Sequence, residues 1–152
     1  MLDIRIANAE SDAVTLAEHN CAMALETEGK LLDLDVAILG VNGLFERPEF
    51  GFYLVAEVDG IVAATLMVTY EWSDWRNGLF WWIQSVYVKS QFRRQGLYRG
   101  MYERLKAMAN QQATPVCGFR LYAVAENVNA HATYKASGMH ICEYFMFEEE
   151  TA

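Results

Sequence analysis

WWIQSVYVKSQFRRQGLYRGMYERLKAMAN, residues 81–110, changes character twice within thirty positions. Trp81 to Val88 is a near-continuous apolar run, which suits a strand buried on both faces. Leu97, Met101, Leu105 and Met108 then recur at helical spacing, with Arg99, Glu103, Lys106 and Asn110 on the opposite face. Between the two lies a short polar turn, Lys89 to Gly96, that carries Arg93 and Arg94. A strand that feeds a basic, glycine-bearing turn into a helix start is an anion-binding device. The first helical N–H groups lack internal partners, and the helix dipole adds partial positive charge beside them. A phosphate is the expected guest.

Around this stretch the chain reads as one domain spanning residues 1–152. At 53% apolar and 13% aromatic residues it holds enough material for an ordered core. The longest apolar runs, such as Ile61 to Val68, are too short to cross a bilayer, so no membrane partner is expected. Met1 to Glu10 has neither the basic start nor the apolar centre of a signal peptide, which points to the cytoplasm. Three cysteines, Cys21, Cys117 and Cys142, are odd in number and widely spaced, as reduced thiols are. The expectation is buried thiols, surface imidazoles at His19, His131 and His140, and no metal, because compact ligand spacings are lacking.

Net charge is −8 but unevenly spread. Residues 1–80 hold 14 acids and 4 bases, whereas residues 89–106 hold 6 bases and one acid. An acidic body repels nucleic acid, so the basic island suits a compact polyanion such as a nucleotide cofactor. The acidic remainder would attract a cation.

In chain order, Leu2 to Ala7 alternates as a first strand, and Ser11 or Asp12 is the expected cap of a helix that breaks near Glu26. A second helix is expected over 33–45. Phe52 to Val58 and Ile61 to Tyr70 form a hairpin through Asp59-Gly60, and Asn77-Gly78 turns the chain into the Trp81 strand. After the central helix come a strand over 117–124, a short helix over 128–137 stopped by Gly138, and a closing strand over 140–147. The order β-α-α-β-β-β-α-β-α-β describes an α/β (α+β) domain with a mixed, mostly antiparallel sheet flanked by helices.

These elements carry two motifs. Arg93-Arg94-Gln95-Gly96-Leu97-Tyr98 resembles the Q/R-x-x-G-x-G/A turn of the GNAT superfamily of acyl-CoA N-acyltransferases. Asn127, Ala130, Tyr134 and Gly138 resemble that family's Asn-x-x-Ala-x-x-x-Tyr pattern with its following glycine. Tyr98 departs from the pattern, standing where glycine or alanine is usual, and Gly100 two residues on is a candidate for relieving the crowding.

The resemblance implies acetyl-CoA as cofactor. Its pyrophosphate would lie on the amides of Arg94 to Tyr98 with help from Arg93, and its pantetheine arm would bond the backbone at Val86 and Val88. It implies that Tyr134 protonates the departing thiolate, and that Asn127 contacts CoA or caps its helix. The acceptor would be a small amine, and its proton must be taken up, for which Glu71 and then Glu28 are the candidates. Trp72 and Trp75 with Glu71 and Asp74 form an aromatic, acidic stretch suited to a cation. Two other classes stay open: a non-catalytic CoA- or amine-binding sensor, and an interaction module whose aromatic hairpin pairs two copies into a homodimer.

Overall fold

A computed structural model describes residues 1–152, in two compact units, Met1–Tyr122 and Ala123–Ala152. The first unit holds β1 (Leu2–Ile6), α1 (Ala9–Glu28), α2 (Leu34–Phe45), β2 (Gly51–Val58), β3 (Ile61–Ser73), β4 (Gly78–Val88), α3 (Leu97–Ala109) and β5 (Val116–Arg120). The five strands lie in sequence order. Neighbours from β1 to β4 are antiparallel, and β5 joins β4 in parallel.

Local chemistry explains most of the boundaries. Asn8, not Ser11 or Asp12, caps α1, its side chain accepting from the amides of Glu10 and Ser11. Asp12 is instead buried, where Arg5 donates to both its oxygens at 2.7 and 3.1 Å and the Asn8 amide adds a third bond. The Arg5 guanidinium therefore holds the Asp12 carboxyl below its ordinary range. Asp33 caps α2. Asp59 and Gly60 both take positive φ, as the tight β2–β3 hairpin requires.

The sheet is covered on both faces. On one side α1 packs against β3 and β4 and α2 against β2, burying Leu16, Ala17, Val41, Tyr53 and Val55 together. On the other, α3 lies on β1 and β2, with Leu97, Tyr98, Met101, Tyr102 and Leu105 buried. Gly100 lets α3 approach, since a Cβ there would sit 3.1 Å from Ile4 Cδ1.

The second unit contains α4 (Val128–Ala136), capped by Asn127 Oδ1 on the Ala130 amide at 3.2 Å and followed by Gly138 at φ 98°. Two expectations fail in this part of the chain. The fifth strand ends at Arg120 and not near 124, and residues 140–147 form no closing strand. A strand needs a partner backbone, and Ala123–Ala152 holds no second strand to supply one. The thiol and imidazole expectation holds for exposed His140 but fails at three other positions. Cys117 and Cys142 are exposed, whereas His19 is buried on the inner face of α1.

Candidate active site

The site begins where two parallel strands part. β4 and β5 are paired only from Leu79/Val116 to Trp82/Arg120, and beyond Trp82 the β5 side of β4 has no strand beside it. β3 continues on the other side to Val88. Ser85 takes φ 54° at a register shift, a bulge that bends β4 at this point. Past the bulge the Lys89 amide bonds the Ala63 carbonyl, at 2.9 Å. Alternation therefore turns the backbone groups of Val88 and Val86 toward the unpaired edge. These are the two residues expected to bond an extended ligand arm.

The open edge runs into the basic turn. A single 3-10 turn, Ser90–Phe92, leads to Arg94 at φ 62° and Gly96 at φ 77°. Gly96 heads α3 with no side-chain cap, and the first bond of the helix runs from the Gly100 amide to the Gly96 carbonyl. The preceding amides of the turn thus face outward beside exposed Arg93, Arg94 and Gln95, as an anion cradle requires. Leu97 is buried and only its backbone is available to the cradle. The Tyr98 side chain is also buried, stacked on Tyr102 with ring centroids 6.1 Å apart and planes 9° apart. It fills the core and leaves the cradle open, and Gly100 serves the packing of α3 on Ile4 without relieving Tyr98.

At the point of divergence stands a polar cluster on the α1 face of the sheet. Glu71 Oε1 accepts from Trp82 Nε1 at 2.6 Å, and Arg120 NH1 reaches both Glu71 oxygens at 3.1 and 3.2 Å. The Arg120 guanidinium also lies 3.6 Å over the Phe80 ring, and Tyr122 packs edge-on to Trp82. Gln84 Nε2 donates to Thr69 Oγ1 at 2.7 Å. Arg120 went unnoticed in the sequence, where an isolated arginine at the end of a short strand gives no signal.

The aromatic hairpin does not gather into one cage. Because β3 runs to Ser73, Glu71 and Trp72 alternate onto opposite faces. Asp74 and Trp75 lie in the turn beyond, and both tryptophans are exposed. Glu28 closes α1 and pairs with Lys30 at 3.5 Å. In the second unit Asn127 is the α4 cap, and half-buried Tyr134 lies on the helix with burial pushing its hydroxyl pKa up.

A family model, acetyltransferase (GNAT) family, matches residues 15–139. The chain belongs to the GNAT family. Membership makes it an acetyl-CoA-dependent N-acetyltransferase. The open strand edge and the turn below it fit that cofactor's extended arm and diphosphate. Among solved structures, a possible acetyltransferase from Clostridium difficile 630 is 43% identical, covering 100% of this chain and 99% of its own at a TM-score of 0.91. A predicted acetyltransferase with acetyl-CoA from Clostridium acetobutylicum shares the GNAT fold at 18% identity, over 98% and 96% of the chains, with a TM-score of 0.79. The aminoglycoside 6′-N-acetyltransferase AAC(6′)-Ih from Acinetobacter baumannii does so at 18% identity over 100% and 99%, at 0.75. Curated protein sequences give no match to this GNAT chain. No helix is long and apolar enough to cross a membrane.

Proposed function

We propose that this acetyltransferase moves an acetyl group onto the primary amine of a small cationic molecule, by direct transfer in a ternary complex in the cytoplasm. One observation carries this reading: the unpaired edge of β4 connects the anion cradle at α3 to the Glu71 carboxylate at the divergence point. A donor laid along that edge would have its thioester near Ser85 and Val86, with the Glu71 carboxylate on neighbouring β3 held to the same strand through Trp82. The −8 net charge favours a cation in the remaining space. Aminoglycoside and glucosamine-6-phosphate N-acetyltransferases share the fold, which supports an amine as acceptor class.

Acetyl-CoA supplies the activated acyl group. Arg94, Gln95 and the amides from Gly96 to Tyr98 hold its diphosphate, and Val86 and Val88 align its arm by backbone bonds. Glu71 takes the acceptor's ammonium proton, directly or through water. Its Oε2 accepts only from Arg120, which leaves that oxygen capacity for another donor. Glu28 at the end of α1 is the second candidate for that proton. Trp72, Asp74 and Trp75 form an outer wall that draws the cation in, and Asn127 sets the start of α4. Tyr134 stays protonated near neutral pH and donates to the departing thiolate.

Titration calorimetry with acetyl-CoA, followed by thiol release across a panel of amines, tests the proposal. Binding with thiol release that depends on a cationic primary amine is expected. Binding with no release for any amine would instead identify a sensor, and absence of binding at millimolar acetyl-CoA would end the assignment.

A further inference from the structure

Arg93 does not reach outward from the turn. Its Nε donates to the Val88 carbonyl at 2.8 Å, and one terminal nitrogen reaches Glu26 Oε2 at 2.7 Å. The Tyr87 hydroxyl donates to the other Glu26 oxygen at 3.2 Å, and the Arg93 guanidinium lies 5.6 Å over the Tyr87 ring. Tyr87 is braced from below by buried His19, edge-on at 5.0 Å, whose Nδ1 is 3.0 Å from Thr65 Oγ1. The end of α1, the end of β4 and the phosphate turn are thus tied by one arginine. That arginine occupies the last outward carbonyl of the edge on which the donor arm would lie.

We propose that Glu26 is a gate on donor binding: it holds Arg93 across the end of β4, and the arginine must leave Glu26 and the Val88 carbonyl for the donor's phosphates. The proposal rests on the donor site of the preceding subsection and adds an order of events to it. Arg93 exchanges one charge-assisted partner for another, so its charge is never left unpaired. The exchange frees two groups at once. The Val88 carbonyl becomes available to an added strand, and the Glu26 carboxylate is left uncompensated three residues before Gly29, where α1 ends and the connection to α2 begins. A negative charge appears on the acceptor side only after the donor is seated. A cationic acceptor then binds more tightly to the donor complex than to the free protein, and the order is donor first.

The salt bridge is about half exposed on each side, so its removal has a modest effect. In calorimetry with CoA, Glu26→Gln is expected to tighten binding about two- to five-fold, Glu26→Asp to stay near wild type, and Arg93→Ala to weaken binding. In an Arg93→Ala background, Glu26→Gln should have no effect, because the gate has already lost its bar. In turnover, Glu26→Gln should lower KM for acetyl-CoA and raise KM for a cationic amine, with kcat within about two-fold. A purely structural role would not split the two KM values in opposite directions. Glu26→Gln that binds CoA no better than wild type, or that still tightens binding without Arg93, overturns the gate alone. A wild-type protein that binds no CoA overturns the donor site and the gate with it.

Discussion

At the scale of single residues, the two most informative side chains are an imidazole and a phenol. His19 is 3% exposed, and burial, with Lys89 nearby, lowers its pKa from 6.5 to about 4. Between those values the unfolded chain binds the proton and the folded chain does not. His19 therefore contributes full stability above about pH 6.5, which is lost as pH falls toward 4, with a ceiling of about 3 kcal/mol. Thermal melts should show this decline over that window. His19→Asn should be less stable at pH 7.5 yet lack that part of the decline. Asp12, held down by Arg5, gives way in a separate window, below its ordinary 3.8. Tyr134 makes a prediction about catalysis. Tyr134→Phe keeps the ring and removes the proton, so kcat should fall on the order of 100-fold while calorimetric CoA affinity stays unchanged. Unchanged turnover would remove the acid role.

At the scale of elements, backbone shape decides. Gly96 takes φ 77° at the head of α3, with open space where a Cβ would stand. Gly96→Ala therefore meets no clash and only a conformational cost of about 1 kcal/mol. It should reorient the amides of the turn and weaken CoA binding about tenfold, while a thermal melt shows only a small loss. Gly51 poses the opposite case. A Cβ there would lie 2.0 Å from the Val68 carbonyl oxygen, across the β2–β3 ladder. Gly51→Ala should cost roughly 2 kcal/mol or more in denaturant unfolding, with CoA affinity per folded molecule retained.

At the scale of the molecule, charge is divided by function. Residues 1–80 hold 14 acids against 4 bases, whereas residues 89–106, the turn and most of α3, hold 6 bases and one acid. An anionic donor would meet a local cationic field, and the proposed cationic acceptor would meet an acidic body. Raising ionic strength from about 0.05 to 0.5 M shortens the Debye length from above 10 Å to below 5 Å. CoA affinity should fall several-fold and KM for a cationic amine should rise several-fold, with KM for a neutral amine analogue nearly constant.

The sequence by itself determined much of what is encoded within about ten residues: the strand–turn–helix of 81–110, the Asp59-Gly60 hairpin and the periodicity of α3. Each is a local competition between backbone partners and turn chemistry, settled by neighbours in the chain. Periodicity shows which face is buried without naming what it meets, and here the tertiary structure alone decided. Only packing brought Arg120 to Glu71 and Arg93 to Glu26, 49 and 67 residues apart. Packing also buried His19 and turned Tyr98 into the core. The same holds for strands, whose backbone bonds come from elsewhere in the chain. Residues 140–147 are largely apolar, as a buried strand is, yet their own unit offers no partner backbone. β4 was readable as a strand, but its open edge exists only because β5 parts from it after Trp82.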